Sequence, residues 1–310
     1  MYKVLVTCPP MLKSIKDGHF PAVHDFLELT LPEVRQALSE TQLMDLLPEY
    51  DGWIIGDDPA TEEVIKSGSR GRLRAAVKWG VGIDNVDIDA MNRYSVKFSY
   101  TPDMFGNEVA DIALTYLIGL ARQTYRIDRE VRQGAWPKYT GISLAGKIVG
   151  LVGYGDVGKQ LTRRLLVLGM QVIVYDPQYA PSLIDKSVVL ETWPEKLGQC
   201  DFLVFTCSLN DGNRKMLNTD TLALCKNGIN IINVARGGLI DETALIKGLN
   251  EDRVSAVALD VMEHEPLPAE SSLLGYEQNI FGSHNASNTR EAVRTTSELA
   301  IAKLAGLLNE

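Results

Sequence analysis

The sequence predicts an α/β fold built on mainly parallel sheets. Short apolar runs rich in β-branched residues recur along the chain, and amphipathic stretches separate many of them. Several of the runs are apolar throughout, as strands covered on both faces must be, and strand–helix–strand alternation is the pattern of parallel crossovers. In chain order the candidate strands are residues 3–7, 52–56, 75–79, 96–99, 148–152, 171–175, 201–205, 229–234, 254–260 and 279–281.

The first strand opens the chain; MYKVLVTCPP has no long apolar segment of the kind a secretory leader carries. After four strands the pattern turns helical from Asn107 to about Arg132. The longest apolar run of the chain, 112–121, lies inside this stretch. It is interrupted by Thr115 and Gly119 and bounded by Asp111 and Arg122. Ten residues fall short of the ~20 that span a bilayer, so it reads as a buried helix. A second strand–helix series follows, with helices at 156–168 and 241–249, the latter opened by Asp241 as N-cap. A helix over 289–308 closes the chain. The expected organisation is discontinuous: 1–100 with 286–310 as one unit and 101–285 inserted.

Composition narrows the function. A length of 310 residues suits about two domains. With 31 basic against 40 acidic side chains the net charge is −9, a poor match for nucleic acid or an anionic membrane. Cys8, Cys200, Cys207 and Cys225 have no CxxC spacing, and with few histidines there is no zinc constellation. They read as reduced thiols of a cytoplasmic protein.

The strongest local signal is Gly153-Tyr154-Gly155-Asp156-Val157-Gly158, between an apolar strand and a helix. Gly153 permits the tight turn, Gly155 a close backbone approach to a pyrophosphate, and Gly158 close helix–strand packing. The anion then meets the free N–H groups and positive end of the helix. The next strand ends in Asp176, 23 residues after Gly153. An acid there accepts hydrogen bonds from both adenosine ribose hydroxyls and repels a 2′-phosphate, which favours NAD(H) over NADP(H). Residues 177–181 bring no Arg or Lys to pair with such a phosphate.

Ligands of parallel sheets sit beyond the carboxyl ends of the strands. Three strand ends in the second half deliver Arg236, then Asp260 with Glu265, then His284. Oxidation of an alcohol sends a hydride to nicotinamide and a proton to a base. Histidine exchanges protons near neutral pH. A neighbouring carboxylate orients the ring and favours its charged form, and arginine binds a substrate carboxylate bidentately. Each residue alone reads as an ordinary loop side chain; the three together do not. His19 and His24 have no partner motif, and His264 lacks a strand-end position of its own.

With these residues in place the sequence resembles the D-isomer-specific 2-hydroxyacid dehydrogenase family. The matching segments are 78–87 (KWGVGIDNVD), 101–111 (TPDMFGNEVAD), the glycine turn with Asp176, 233–241 (NVARGGLID), 259–266 (LDVMEHEP) and 284–287 (HNAS). The resemblance implies two doubly wound (Rossmann/flavodoxin-like) parallel-sheet domains with a cleft between them that closes over the reactants. It implies His284 as acid/base, Glu265 as its partner and Arg236 as holder of the substrate carboxylate and carbonyl. Val81 and Gly82 would grip that carboxylate through backbone N–H groups, with Lys78 beside them. Tyr154, Asp156, Val157, Val234 and Ala235 would line the cofactor, and Asn107 and Asp260 its nicotinamide side. The family implies a homodimer formed through 107–146, including Trp136. The segment after Asp201 departs from the family's usual His and Pro, so Thr206, Cys207 and Ser208 would line the adenine pocket. Asp111 stands where the family usually has Glu. The Arg-Gly-Gly and His-x-Ala motifs argue against the formate branch.

Asp57 and Asp58 follow the second strand where a phosphate pocket would want Arg, and Lys78 is the counterweight. An unphosphorylated or differently decorated 2-hydroxy acid is the expected substrate. With the sequence ending at Glu310, no regulatory domain is expected after it. Two other classes compete: a non-catalytic NAD(H)-sensing interaction protein, and hydride transfer from an inorganic or one-carbon donor. The intact Arg236, Glu265 and His284 favour the dehydrogenase.

Overall fold

A computed structural model describes residues 1–19, 23–179 and 187–309. Residues Met1–Phe105 and Ser287–Glu310 make up one unit and Gly106–Ala286 another.

In the first unit, β1 (Tyr2–Val6), β2 (Leu27–Thr30), β3 (Gly52–Ile55), β4 (Ala75–Lys78) and β5 (Lys97–Tyr100) form one sheet in the order β2-β1-β3-β4-β5. Every pairing is parallel. The strand order reverses between β1 and β3, which is where doubly wound sheets open a crevice. β3 and β4 are buried along their whole length; β3 is apolar throughout, and β4 is apolar up to its last residue, Lys78. Helix Arg290–Asn309 covers the sheet over β3 and β4. Gly52 allows the approach, since a Cβ there would stand 3.0 Å from Leu304. Trp79 ties the same helix down, donating to Ser297 Oγ at 3.1 Å.

The second unit carries β6 (Ile148–Val152), β7 (Gln171–Tyr175), β8 (Val189–Glu191), β9 (Phe202–Phe205), β10 (Ile229–Asn233), β11 (Val254–Leu259) and β12 (Ile280–Phe281). Their order, β12-β11-β10-β9-β6-β7-β8, is again wholly parallel. This is the doubly wound order of dinucleotide-binding sheets, with its reversal between β6 and β9. Phe205, Leu203, Ile231, Val257 and Leu259 form the centre of its core.

The α/β class is as the sequence predicts, and the predicted strands lie within a residue or so of those observed. Two edge strands, β2 and β8, were not anticipated. The expected helix from Asn107 to Arg132 is two, Gly106–Arg122 and Thr124–Arg132, because Gln123 takes a left-handed φ of 54° between them. Asp241 does cap the helix that follows it, accepting from Thr243 N–H at 3.1 Å and Ala244 N–H at 3.4 Å. Among the described residues no helix is long and apolar enough to cross a membrane.

Candidate active site

The glycine turn lies at the reversal point of the second sheet. Gly153 has φ 98°, and a Cβ on it would come within 2.6 Å of the Cys207 backbone. Helix Asp156–Val167 starts directly after the turn. Gly158 lies so close beneath it that a Cβ would collide with the Gly153 carbonyl. Gly155 is the opposite case: a Cβ there would meet nothing within 4 Å. The backbone is therefore open on the side where a diphosphate would approach the helix N-terminus.

Asp176 follows β7 directly, beside this turn. Its carboxylate accepts Tyr154 N–H at 2.7 Å and Gln178 N–H at 2.9 Å. Those bonds aim it and leave each oxygen a second lone pair, which suits a ribose diol. Residues 180 and 181, part of the run read above for missing cations, lie outside the described residues. Tyr154 is buried, edge-on to Tyr179 at 5.4 Å. Asp156 packs its carboxylate against Gly106, and Val157 is half-buried. The Thr206 hydroxyl donates to the Gly153 carbonyl at 2.8 Å and so braces the turn itself. Burial pushes the Cys207 thiol up to about 12, so it stays a neutral, weakly polar surface beside the turn. Ser208 is exposed, and its carbonyl accepts Asn213 Nδ2 at 2.7 Å. These groups fit NAD(H): open backbone at the phosphates, an acid aimed at the ribose, a soft wall opposite.

The other half of the site sits on β10, β11 and β12, adjacent and parallel. Arg236 follows β10 past the buried Val234 and Ala235. Asn233 fixes that exit: its Oδ1 accepts Ala235 N–H at 3.0 Å and its Nδ2 donates to the Arg236 carbonyl at 2.9 Å. The Arg236 guanidinium donates to the Ala235 carbonyl at 2.8 Å. Glu265 and His284 meet, with Nδ1 2.7 Å from Oε2. The Met262 N–H donates to the other Glu265 oxygen at 3.0 Å. Contact at Nδ1 turns Nε2 away from Glu265. His284 has a left-handed φ of 55°, and its N–H donates to the Asp260 carbonyl at 2.7 Å.

Two residues expected on the nicotinamide side are bonded within the protein. Asn107 Oδ1 accepts Arg164 Nη2 at 3.2 Å, which sets it against helix Asp156–Val167. Asp260 is buried and bonded to Ala286 N–H at 2.9 Å and the Tyr116 hydroxyl at 3.3 Å. Tyr116 escaped the sequence reading: it is 144 residues from Asp260 and belongs to no motif. His264 is exposed and His24 stacks on Phe26 at 5.2 Å.

In the first unit, Lys78 ends β4 with its ammonium buried. It donates to the Gly56 carbonyl and lies 3.2 Å from Asp57 Oδ1. Asp58 is buried at the reversal between β1 and β3, accepting from the Thr7 hydroxyl, Leu38 N–H at 2.9 Å and Gly56 N–H at 3.0 Å. The two neighbouring acids thus do different things: one neutralises a cation, the other occupies backbone donors. Val81 is exposed and Gly82 half-buried on the loop after β4.

Residues 114–286, more than half of the 310, match the model for the NAD binding domain of D-isomer specific 2-hydroxyacid dehydrogenases. The chain belongs to that family. The D-3-phosphoglycerate dehydrogenase of Sus scrofa is 33% identical over 86% of this chain and 50% of its own length. D-3-phosphoglycerate dehydrogenase 3, chloroplastic, of Arabidopsis thaliana is 34% identical over 91% of this chain and 47% of its own. The chain therefore spans about half the length of these curated relatives. A glyoxylate reductase from Paecilomyes thermophila shares the fold, with a TM-score of 0.83 at 24% identity, covering 100% of this chain and 97% of that one. The second unit is thus an NAD(H)-binding domain of the 2-hydroxyacid dehydrogenase type.

Proposed function

We propose that the chain is an NAD-dependent dehydrogenase interconverting a D-2-hydroxy acid and its 2-keto acid. The observation that carries this reading is the 2.7 Å His284–Glu265 pair at the sheet edge shared with Arg236, in a chain with this family's NAD-binding domain. Bound NADH supplies the hydride that reduces C2 of the keto acid. His284, charged and held through Nδ1 by Glu265, gives the Nε2 proton to the carbonyl oxygen; in the oxidative direction Nε2 takes it back. Glu265 fixes the tautomer and offsets the imidazolium charge. Arg236 pairs with the substrate carboxylate, with the N–H groups of Val81 and Gly82 as further donors. Residues 1–100 with 286–310 serve the substrate and 101–285 the cofactor.

The substrate's remaining substituent is uncharged on this reading. Lys78 is already neutralised by Asp57, and Asp58 already takes the Leu38 and Gly56 N–H groups. A phosphoryl group would need donors of both kinds. The chain works as a cytoplasmic homodimer through 107–146, where Trp136 is 77% exposed.

Steady-state NADH oxidation with glyoxylate, pyruvate, hydroxypyruvate and 3-phosphohydroxypyruvate tests both points. The expected result is turnover with uncharged side chains preferred, and loss of roughly 10²–10⁴ in kcat in His284→Asn with NADH binding retained. NADH binding without turnover of any keto acid would favour a sensor. Preference for the phosphorylated acid would overturn the substrate assignment alone.

A further inference from the structure

The buried pair Tyr116 and Asp260 stands directly behind the loop that carries His284. Tyr116 lies on helix Gly106–Arg122, and its hydroxyl donates to Asp260 Oδ1 at 3.3 Å. Asp260 Oδ2 accepts Ala286 N–H at 2.9 Å, and the Asp260 carbonyl accepts His284 N–H at 2.7 Å. One residue thus brackets the segment 284–286, holding it at His284 and again at Ala286. The room for this is set by Gly282, whose Cβ would collide with both the Asp260 carboxylate and the Tyr116 hydroxyl.

The bracket has a physical task. A non-glycine residue at φ 55° adopts a sparsely populated backbone, which persists only where its surroundings hold it. The Asp260 carboxylate is nearly inaccessible to solvent, so each oxygen needs a donor from the protein. Ala286 supplies one to Oδ2 and Tyr116 supplies one to Oδ1. Without the phenol hydroxyl, the carboxylate would rotate to recover a donor, and the Ala286 and His284 backbone would follow.

We propose that Tyr116 is a positioning residue: acting through Asp260, its hydroxyl holds the 284–286 backbone so that His284 stays aligned with Glu265. The inference rests on His284 as the acid/base and adds a residue that touches neither substrate nor His284. Tyr116→Phe removes one oxygen and keeps the ring, so the buried packing of the helix is preserved.

Three readouts on the full chain test it. The expected result for Tyr116→Phe is a kcat for keto-acid reduction lower by roughly 10-fold, from small misplacement of the acid, with NADH affinity and KM within about two-fold. The alkaline limb of the kcat profile moves to lower pH, because a loosened Glu265 contact stabilises the imidazolium less. Hydrogen–deuterium exchange in the peptide spanning 282–286 becomes faster. In an Asp260→Asn background, where the bracket is already broken, Tyr116→Phe adds no further loss of kcat. Faster exchange with unchanged kcat and pH profile would make Tyr116 merely structural and overturn the proposal. Lower kcat with unchanged exchange would overturn it too. If the wild-type chain turns over no keto acid, the functional reading fails, and unchanged exchange in Tyr116→Phe would separately break the link to the loop.

Discussion

Asp58 shows how a side chain can be legible in kind and illegible in role. Its neighbour Asp57 and its position after an apolar strand suggest a surface acid facing a ligand. Folding instead buries it at the β1–β3 reversal under the Thr7 hydroxyl and the Leu38 and Gly56 N–H groups. Burial raises its carboxyl above the ordinary carboxylate range, against the pull of those three donors and the Lys78 charge. A carboxyl raised on folding gives stability that is complete below the unfolded value, about 4, and is lost as pH climbs through the folded one. The stability margin of wild type over Asp58→Asn should therefore shrink as pH rises from about 4 towards 7, read as urea midpoints across that range. A margin that is constant or grows with pH would show that the three donors outweigh burial. Strand-end polar residues such as Arg236, Glu265 and His284 stand out in the sequence because apolar runs frame them. Tyr116 does not, and although Lys78, Asp57 and Asp260 do, the contacts Lys78–Asp57 and Tyr116–Asp260 are made only by the packing of distant segments.

At the scale of elements, the dinucleotide turn separates two uses of glycine. Gly158 is closed by the Gly153 carbonyl, whereas Gly155 faces open space. Gly158→Ala should lower the unfolding temperature and NADH affinity together, because strand and helix must part to admit the methyl group. Gly155→Ala should leave the unfolding temperature nearly unchanged and weaken NADH binding by roughly 10-fold or more, because the methyl group stands where the pyrophosphate approaches. Calorimetry and fluorescence titration of both variants check this; a Gly155→Ala protein with unaltered NADH affinity would contradict the assigned role. This element was readable because strand, glycines, helix and acid occur within 29 consecutive residues, 148–176. The edge strands β2 and β8 were not, because Leu-Glu-Leu-Thr and Val-Leu-Glu are short and only partly buried. Nor was the break at Gln123, where a glutamine in a left-handed conformation interrupts an otherwise continuous helical pattern.

At the scale of the whole molecule, two parallel doubly wound sheets are built from one chain, and the candidate site residues of each follow the carboxyl ends of its strands. One edge carries the glycine turn, Asp176, Arg236, Glu265 and His284, spread over more than a hundred residues of sequence. The other carries Lys78, Asp57 and the Val81–Gly82 loop. The central claim is that hydride passes between nicotinamide and C2 of a 2-hydroxy acid, and isotope transfer tests it most directly. The wild-type chain is incubated with NADH dideuterated at C4, so that either face delivers deuteride, and with glyoxylate, pyruvate or hydroxypyruvate, and the product is resolved by chiral chromatography and mass spectrometry. With pyruvate or hydroxypyruvate, the account predicts the D-2-hydroxy acid carrying one deuterium at C2, and no such product from His284→Asn. A product without deuterium, or of the opposite hand, would contradict it.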